Sequence, residues 1–599
     1  MLQIKNFFSK HLNLLILSFV TVIVCFPILI TDRVAITDGK FTIARVESVI
    51  NALKDGQIVP LFDPTLSDGF GYSFNIFYGP LLGYLCSIVK FILGCGTIFS
   101  INFTTTIIIF ITSILLYNFV GKLTDFRIGL LAGIMYITSN IVSLYIFMIC
   151  SQSALLAICG AILVLDGLTS LFNKGAYTGK IIIGASICIL SHNLSFIILI
   201  ITSILFCILN FRNISWKIIK KLLICCSAII GITAFYTFPL IQAIHSNIYL
   251  LSDPYFKKYL LTISSEDIKN SATSFTALFI GIGSEKNILF NNFTSVALFL
   301  GNAILLIYHF KFKIINPLFY KFAAVGFGFS LLMIDYPFNI AYPGWLQNFQ
   351  SLGRFSWMIV LVLIISFCLG IFNAGNYRDT NSRAGIYSSG NSRANKSHAG
   401  ISLDGILQAI FSKVKNAYFV WAFLVIYIFS GIIIGSTMYF YESKNESYSP
   451  NISEAAEYYP KNILNNCIEI KDIINEKVHI GNSELGHDLV ISCLKKHSSI
   501  DDTHVLDKSD YYTKIDTDIS LVELPQIYYP GFKATADDEK LKVSESEFGL
   551  VQIEIPENFR GEIHSYFSIS NAGIIGLIFS LCTILILIII KIRGRNILQ

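Results

Sequence analysis

The stretch TDGKFTIARVESVINALKDG, residues 37–56, sets three carboxylates and three cations along a helical pattern. Asp38, Thr42 and Arg45 are four and three residues apart, a spacing that puts them on one face of a helix. Val46, Val49, Ile50 and Leu53 recur at i, i+3, i+4 and i+7, and Gly56 ends the run. A carboxylate so held can take a proton from a hydroxyl. A guanidinium can grip phosphate oxygens through its planar fork, which makes Arg45 and Arg354 candidates for holding an anion, with Lys40 a further cation in the same stretch. The same residues also have a structural reading. Asp38 can cap a helix, and Arg45 and Arg354 can reach for lipid headgroups.

Elements able to position these groups are predominantly membrane helices. The chain is 54% apolar and 14% charged. Residues 12–30 form the first of many runs near the ~20 residues needed to cross a bilayer. Others lie at 97–120, 128–147, 150–172, 222–243, 294–310, 314–333, 354–373, 417–440 and 572–591. The interval 180–210 is broken by SHN at 191–193. Helix 41–54 is expected along the outer leaflet, its apolar face toward lipid and its charged face in water. Most of the 13 cysteines fall inside spans as small apolar residues, and only Cys467 and Cys493 lie in a polar region.

Lys/Arg bias sets the orientation. Lys5 and Lys10, Lys122 and Arg127, Lys174 and Lys180, FRNISWKIIKK (211–221), HFKFK (309–313) and KIRGR (591–595) should all be cytoplasmic. One layout satisfies them: 76–94 stays on the outer surface and 180–210 crosses twice, turning outside at His192. That predicts a polytopic α-helical membrane protein of about 12 spans, with both termini inside. The polar segments 31–96, 244–293, 334–353 and 441–571 then share the outer side. The domain division is a transmembrane module (1–373) with outer loop 31–96, a disordered cytoplasmic loop (374–415), a helix (416–440), an outer β-rich domain (441–571), and a last helix with a basic tail (572–599). LVQIEI (550–555) alternates with period two, and turn residues separate further β-branched and aromatic runs, so a small β-sandwich is expected. This segment carries about 24 acids against 12 bases.

The chain resembles the GT-C superfamily of membrane glycosyltransferases. More closely, it is similar to the bacterial YfhO-type proteins and the "6-pyruvoyl-tetrahydropterin synthase-related" membrane family. The carrying residues are TDGKFTIARVESVINALKDGQIVPLF (37–62), DGFGYSFNIFYGPLLGYL (68–85), DFRIGLLAGIMYITSN (125–140), ILSHNLSFIIL (189–199) and TAFYTFPL (233–240). NFQSLGRFSWM (348–358), EYYP (457–460) and VELPQIYYPGFKA (522–534) follow in order. The resemblance implies transfer of a sugar from a polyprenyl-phosphate carrier to an extracytoplasmic acceptor. A cell-envelope glycan or teichoic-acid-like polymer would be that acceptor. It places the catalytic carboxylate at Asp38 and leaves the lipid phosphate to Arg45 and Arg354.

His192 can bind substrate, carry a proton or bond a helix end. Tyr78 can form a platform for sugar or lipid, or belong to an interfacial aromatic belt. Relatives often have His where this chain has Thr42 and an acid where it has Gln152, so a divalent metal is compatible with the resemblance but weakened by both departures. No nucleic-acid partner is expected. A transporter or lipid flippase, and a non-catalytic envelope scaffold, are the competing classes; the first would call for inverted repeats and mid-membrane charges, whereas the chain shows no convincing internal repeat and its charges lie mostly at span ends, Lys90 and Lys321 apart.

Overall fold

The computed structural model describes residues 2–31, 34, 36–175, 179–246, 249, 273–274, 293–332, 334–336, 352–388, 459–460, 462, 491–495, 497, 504–505, 510–515, 520–537 and 539–593. Among these, seven helices are long and apolar enough to cross a membrane, as expected of a multi-pass membrane protein. The span predicted at 417–440, most of the loops 244–293 and 334–353, and Cys467 lie outside the described residues.

In chain order the helices are α1 (Leu2–Leu29), α2 (Ile36–Lys54), α3 (Phe74–Phe77), α4 (Leu81–Leu93), α5 (Thr97–Leu123), α6 (Phe126–Ile137), α7 (Asn140–Leu144), α8 (Gln152–Lys174), α9 (Gly179–Ser191), α10 (Asn193–Ile208), α11 (Trp216–Ser246), α12 (Phe293–Lys311), α13 (Pro317–Leu332), α14 (Ser356–Ser388) and α15 (Asn571–Arg593). Helix α14 continues to Ser388, well into the segment read from sequence as a disordered loop.

The helices have two chemically different ends. At one, Lys122 (end of α5) and Lys180 (start of α9) both reach Asp166 on α8, the first at 3.6 Å. Lys221 of α11 donates to the Gly175 carbonyl just beyond α8, and Lys321 of α13 donates to Asn210 just beyond α10 at 2.5 Å. Near the other end Asn102 of α5 donates to the Ile28 carbonyl at 2.9 Å. There too Ser570, before α15, donates to Gln242 near the end of α11 at 2.6 Å. Lys122, Lys180 and Lys221, which the Lys/Arg rule puts on one side, therefore gather at one end of the helices.

Close packing of α8 on α9 depends on two glycines. A Cβ on Gly160 would stand 2.4 Å from the Gly184 carbonyl oxygen, and one on Gly184 2.4 Å from that of Gly160. Small residues let membrane helices approach this closely. Gly184→Val is expected to lower stability by about 1–3 kcal/mol through overpacking, read as an earlier melt of the detergent-solubilised protein. A melt equal to wild type would mean that the pair relaxes freely.

Helix α2 corrects the expectation of an interfacial helix. It starts at Ile36, and its apolar face is covered by protein: Val46, Val49 and Ile50 are each 1% exposed. Residues 74–93 fold back over it as α3 and α4, with Gly83 against the Val49 side chain. A glycine at that crossing lets the apolar stripe find side chains before it finds lipid. Helix α4, at 13 residues, is about 20 Å long and too short to span ~30 Å of hydrocarbon. Its outer side, Ile88, Phe91, Ile92 and Leu93, is exposed and apolar, as a helix lying in the interface requires.

Eight of the ten described strands lie between residues 504 and 567, just before α15. A five-stranded sheet has the order β3 (His504–Val505), β4 (Asp510–Ile515), β10 (Gly561–Phe567), β6 (Phe532–Ala536), β7 (Glu539–Leu541). A three-stranded sheet has the order β5 (Leu521–Ile527), β9 (Leu550–Glu554), β8 (Val543–Glu545), and a parallel pair, β1 (Thr273–Ser274) and β2 (Ile334–Tyr336), stands apart. Along β5, Val522 and Leu524 are buried and Glu523 is not, and the register shifts around Pro525, which cannot donate to a ladder. The first polar loop enters this region's core. Phe62 stacks on Phe567 at 4.8 Å and meets Phe532 edge-on at 5.1 Å, and Ile527 N–H donates to the Phe70 carbonyl at 2.8 Å. Tyr72 packs against Tyr459 and Tyr529, and Ser67 Oγ lies 3.1 Å from Tyr459 Oη. Loop and sheets share one hydrophobic cluster. Cys493, in the short helical stretch facing them, is disulfide-bonded.

Candidate active site

Asp38 occupies the first turn of α2, where the helix dipole favours a negative charge. It remains reachable from solvent, and enough protein surrounds it to raise its carboxyl above the ordinary range. Arg354 and then Arg45 work against that rise through their positive charges. Asp38 thus lies in the field of both arginines.

Arg45 is 9% exposed, which replaces the headgroup-reaching reading with an inward one. Its Nη2 donates to the Gly79 carbonyl at 3.1 Å and its Nη1 to Ser153 Oγ at 3.3 Å. The guanidinium sits 4.7 Å from the Tyr78 ring centroid and 5.7 Å from that of Phe41. Tyr78 is half-buried and meets Phe41 edge-on at 5.0 Å. Tyr78 therefore carries the cation of the site on its face.

One turn before Arg45, Thr42 is buried and donates to the Cys150 carbonyl at 3.0 Å. Cys150 has φ 61°, ending the π-turn Tyr145–Ile149 in the left-handed region. Gln152 is buried beside it, its amide 3.0 Å from Cys150 Sγ. Gln152 thus holds this turn and offers no charge to the site. Lys40 is half-buried and, two residues from Asp38, lies on a different face of α2. Asp63 is buried, accepting from Thr65 N–H at 2.9 Å, Thr65 Oγ at 2.6 Å and Asn51 at 3.2 Å, which fixes the loop leaving α2.

His192 caps α10, accepting from Ser195 N–H at 3.1 Å through Nδ1. Its neighbour Asn193 donates to the Phe77 carbonyl at 2.8 Å, as Tyr236 Oη does at 2.9 Å. A Cβ on Gly79 would meet the Leu190 carbonyl oxygen at 2.3 Å and Ser191 N at 2.7 Å. The turn FYGP is thus docked on the α9–α10 break, with its carbonyls taken by Asn193, Tyr236 and Arg45. Four motifs far apart in the chain, at 37–62, 68–85, 189–199 and 233–240, meet at this turn. Sequence reasoning missed Gly79, Ser153, Asn193 and Tyr236. The Gly-Pro pair was the available signal for a turn under close approach.

A divalent metal wants several anionic or carbonyl oxygens. Asp38 lies instead in the field of two guanidinium groups, and among the described residues no group of three His, Cys, Asp or Glu side chains could hold an ion. Among the described residues the donor set does not fit a metal.

No protein-family model matches the chain. A curated protein of Lactococcus lactis subsp. cremoris (strain MG1363), described as uncharacterized, is 28% identical over 616 residues, covering 96% of this chain and 94% of its own. Among solved structures, the Archaeoglobus fulgidus oligosaccharyltransferase tethered with an acceptor peptide aligns with 80% of this chain at 14% identity and a TM-score of 0.42. The same enzyme in complex with Zn and sulfate aligns with 62% at 14% identity and a TM-score of 0.36. The chain covers 62% and 50% of the two oligosaccharyltransferase chains. Both likenesses are loose.

Proposed function

We propose that this protein is a GT-C-type, YfhO-like membrane glycosyltransferase that moves a sugar from a polyprenyl-phosphate carrier to an extracytoplasmic cell-envelope acceptor. The observation that carries the reading is one solvent-reached carboxylate, Asp38, in the field of two guanidinium groups, Arg354 and Arg45. Asp38 takes the proton of the acceptor hydroxyl as its oxygen attacks the anomeric carbon. The bond from that carbon to the phosphate oxygen breaks, and its electron pair leaves with the polyprenyl phosphate. Arg354 and Arg45 hold the charge that develops there. The decisive experiment is transfer of radiolabelled sugar from synthetic polyprenyl-phosphate donors by the purified protein. Absence of transfer with every donor tried, from well-folded protein, counts against the reading.

The proposed layout has 12 spans: the seven long helices, α9, α10, α12 and α13, and the segment 416–440. The basic ends at Asp166, Gly175 and Asn210 face the cytoplasm under the Lys/Arg rule, as do both termini. Asp38 and the β-rich domain then lie outside, and the disulfide at Cys493 suits an oxidising compartment. A single cysteine at position 122, in a background without exposed thiols, should resist a membrane-impermeant reagent applied from outside. Labelling there in intact cells would invert the layout.

A further inference from the structure

His192 has a hydrogen-bond pattern that fixes more than its position. Ser195 N–H donates to Nδ1 at 3.1 Å, and Ser195 Oγ lies 2.9 Å from the same nitrogen. A ring nitrogen that accepts from a backbone N–H carries no proton of its own. The single N–H of the neutral ring is therefore at Nε2. The ring cannot exchange these roles without giving up the cap of α10.

The residues around it hold that state. Arg45 reaches across from α2 to the Gly79 carbonyl, and Gly79 is pressed onto Leu190 and Ser191 at the end of α9. Arg354 approaches from the start of α14, Asp38 lies in the field of the same two arginines, and Tyr236 of α11 contacts Asn193. Burial, then the charges of Arg354 and Arg45, press the imidazole well below its ordinary range. An added proton would meet two like charges.

We propose that His192 is a fixed neutral hydrogen-bond donor whose Nε2–H contacts a phosphate oxygen of the lipid-linked sugar, and that it neither accepts nor relays a proton. The proposal rests on the transfer reading above. Each non-bridging oxygen of a phosphate accepts more than one hydrogen bond, so a rigid neutral donor adds recognition beside the guanidinium groups without adding a charge that burial would resist.

The test separates capping from donation. His192→Asn keeps an N-cap acceptor, because Asn caps as well as any residue, and removes the Nε2–H. The variant is expected to melt as wild type does. Its KM for the polyprenyl-phosphate sugar should rise about tenfold or more, the usual weight of a hydrogen bond to a charged group, with the acceptor KM unchanged. Binding of polyprenyl phosphate alone should weaken in parallel, which gives a readout even if the purified protein transfers no sugar and the transfer reading itself fails. Nitrogen spectra of histidine-labelled protein should show His192 protonated at Nε2 with no titration between pH 5 and 8. A ring that titrates in that window, or carries its proton on Nδ1, overturns the proposal. So does a His192→Asn protein that binds and uses donor as wild type does, since His192 would then only cap.

Discussion

Asp38→Asn is expected to lower sugar transfer by about 10²–10⁴-fold, the usual cost of losing a general base, while the protein still folds and binds polyprenyl phosphate. The substitution is nearly isosteric, and the residue is reachable from solvent at the head of α2, so little packing depends on its charge. The pH profile gives an independent check. A base must be deprotonated to act, so the rate falls as pH drops through its pKa. Burial lifts the Asp38 carboxyl above the ordinary range near ~4, and the acid limb of kcat/KM should stand correspondingly high. In Asp38→Asn that limb should vanish together with the rate. A variant that transfers sugar at near-normal rate would leave Asp38 as a helix-end residue only.

How much of this was legible beforehand differs from residue to residue. The polytopic helical class, the break at His192 and the β-rich segment before the last helix were all visible. Each has a local signature: apolar run length, an interrupting polar trio, and period-two alternation. Asp38 and Arg45 could be paired because helical spacing is local. Arg354 could be nominated by type, but nothing in a single chain fixes its approach to α2. The fate of the Val46–Val49–Ile50 face was misread for a related reason. An apolar stripe looks the same whether lipid or protein covers it, and only the fold-back of 74–93, with Gly83 at the crossing, decides. The joining of the first loop to the β-sheets through Phe62, Tyr72 and Tyr529 was equally hidden, because aromatic residues at ordinary spacing carry no address.

Arg354 makes the sharper demand on the proposed chemistry, because it acts on both the base and the leaving group. Removing its charge with Arg354→Met should cost about 10²–10³-fold in kcat, the size seen when one preorganised stabilising group is taken from a developing anion. The same change should move the acid limb of the pH profile upward. Arg354 is the larger of the two charges that lower the Asp38 pKa, so without it the carboxyl takes up its proton at higher pH. Arg354→Lys distinguishes the two effects. It keeps a positive charge near Asp38, so the acid limb should stay close to wild type. It replaces a planar fork with a point charge, so donor KM should rise more than acceptor KM. If Arg354→Met left the limb in place while lowering the rate, the arginine would be holding phosphate without tuning the base. If it moved the limb and spared donor use, the phosphate would rest on Arg45 alone. In that case the phosphate would have to be met by a guanidinium whose Nη1 and Nη2 already donate to Ser153 and Gly79.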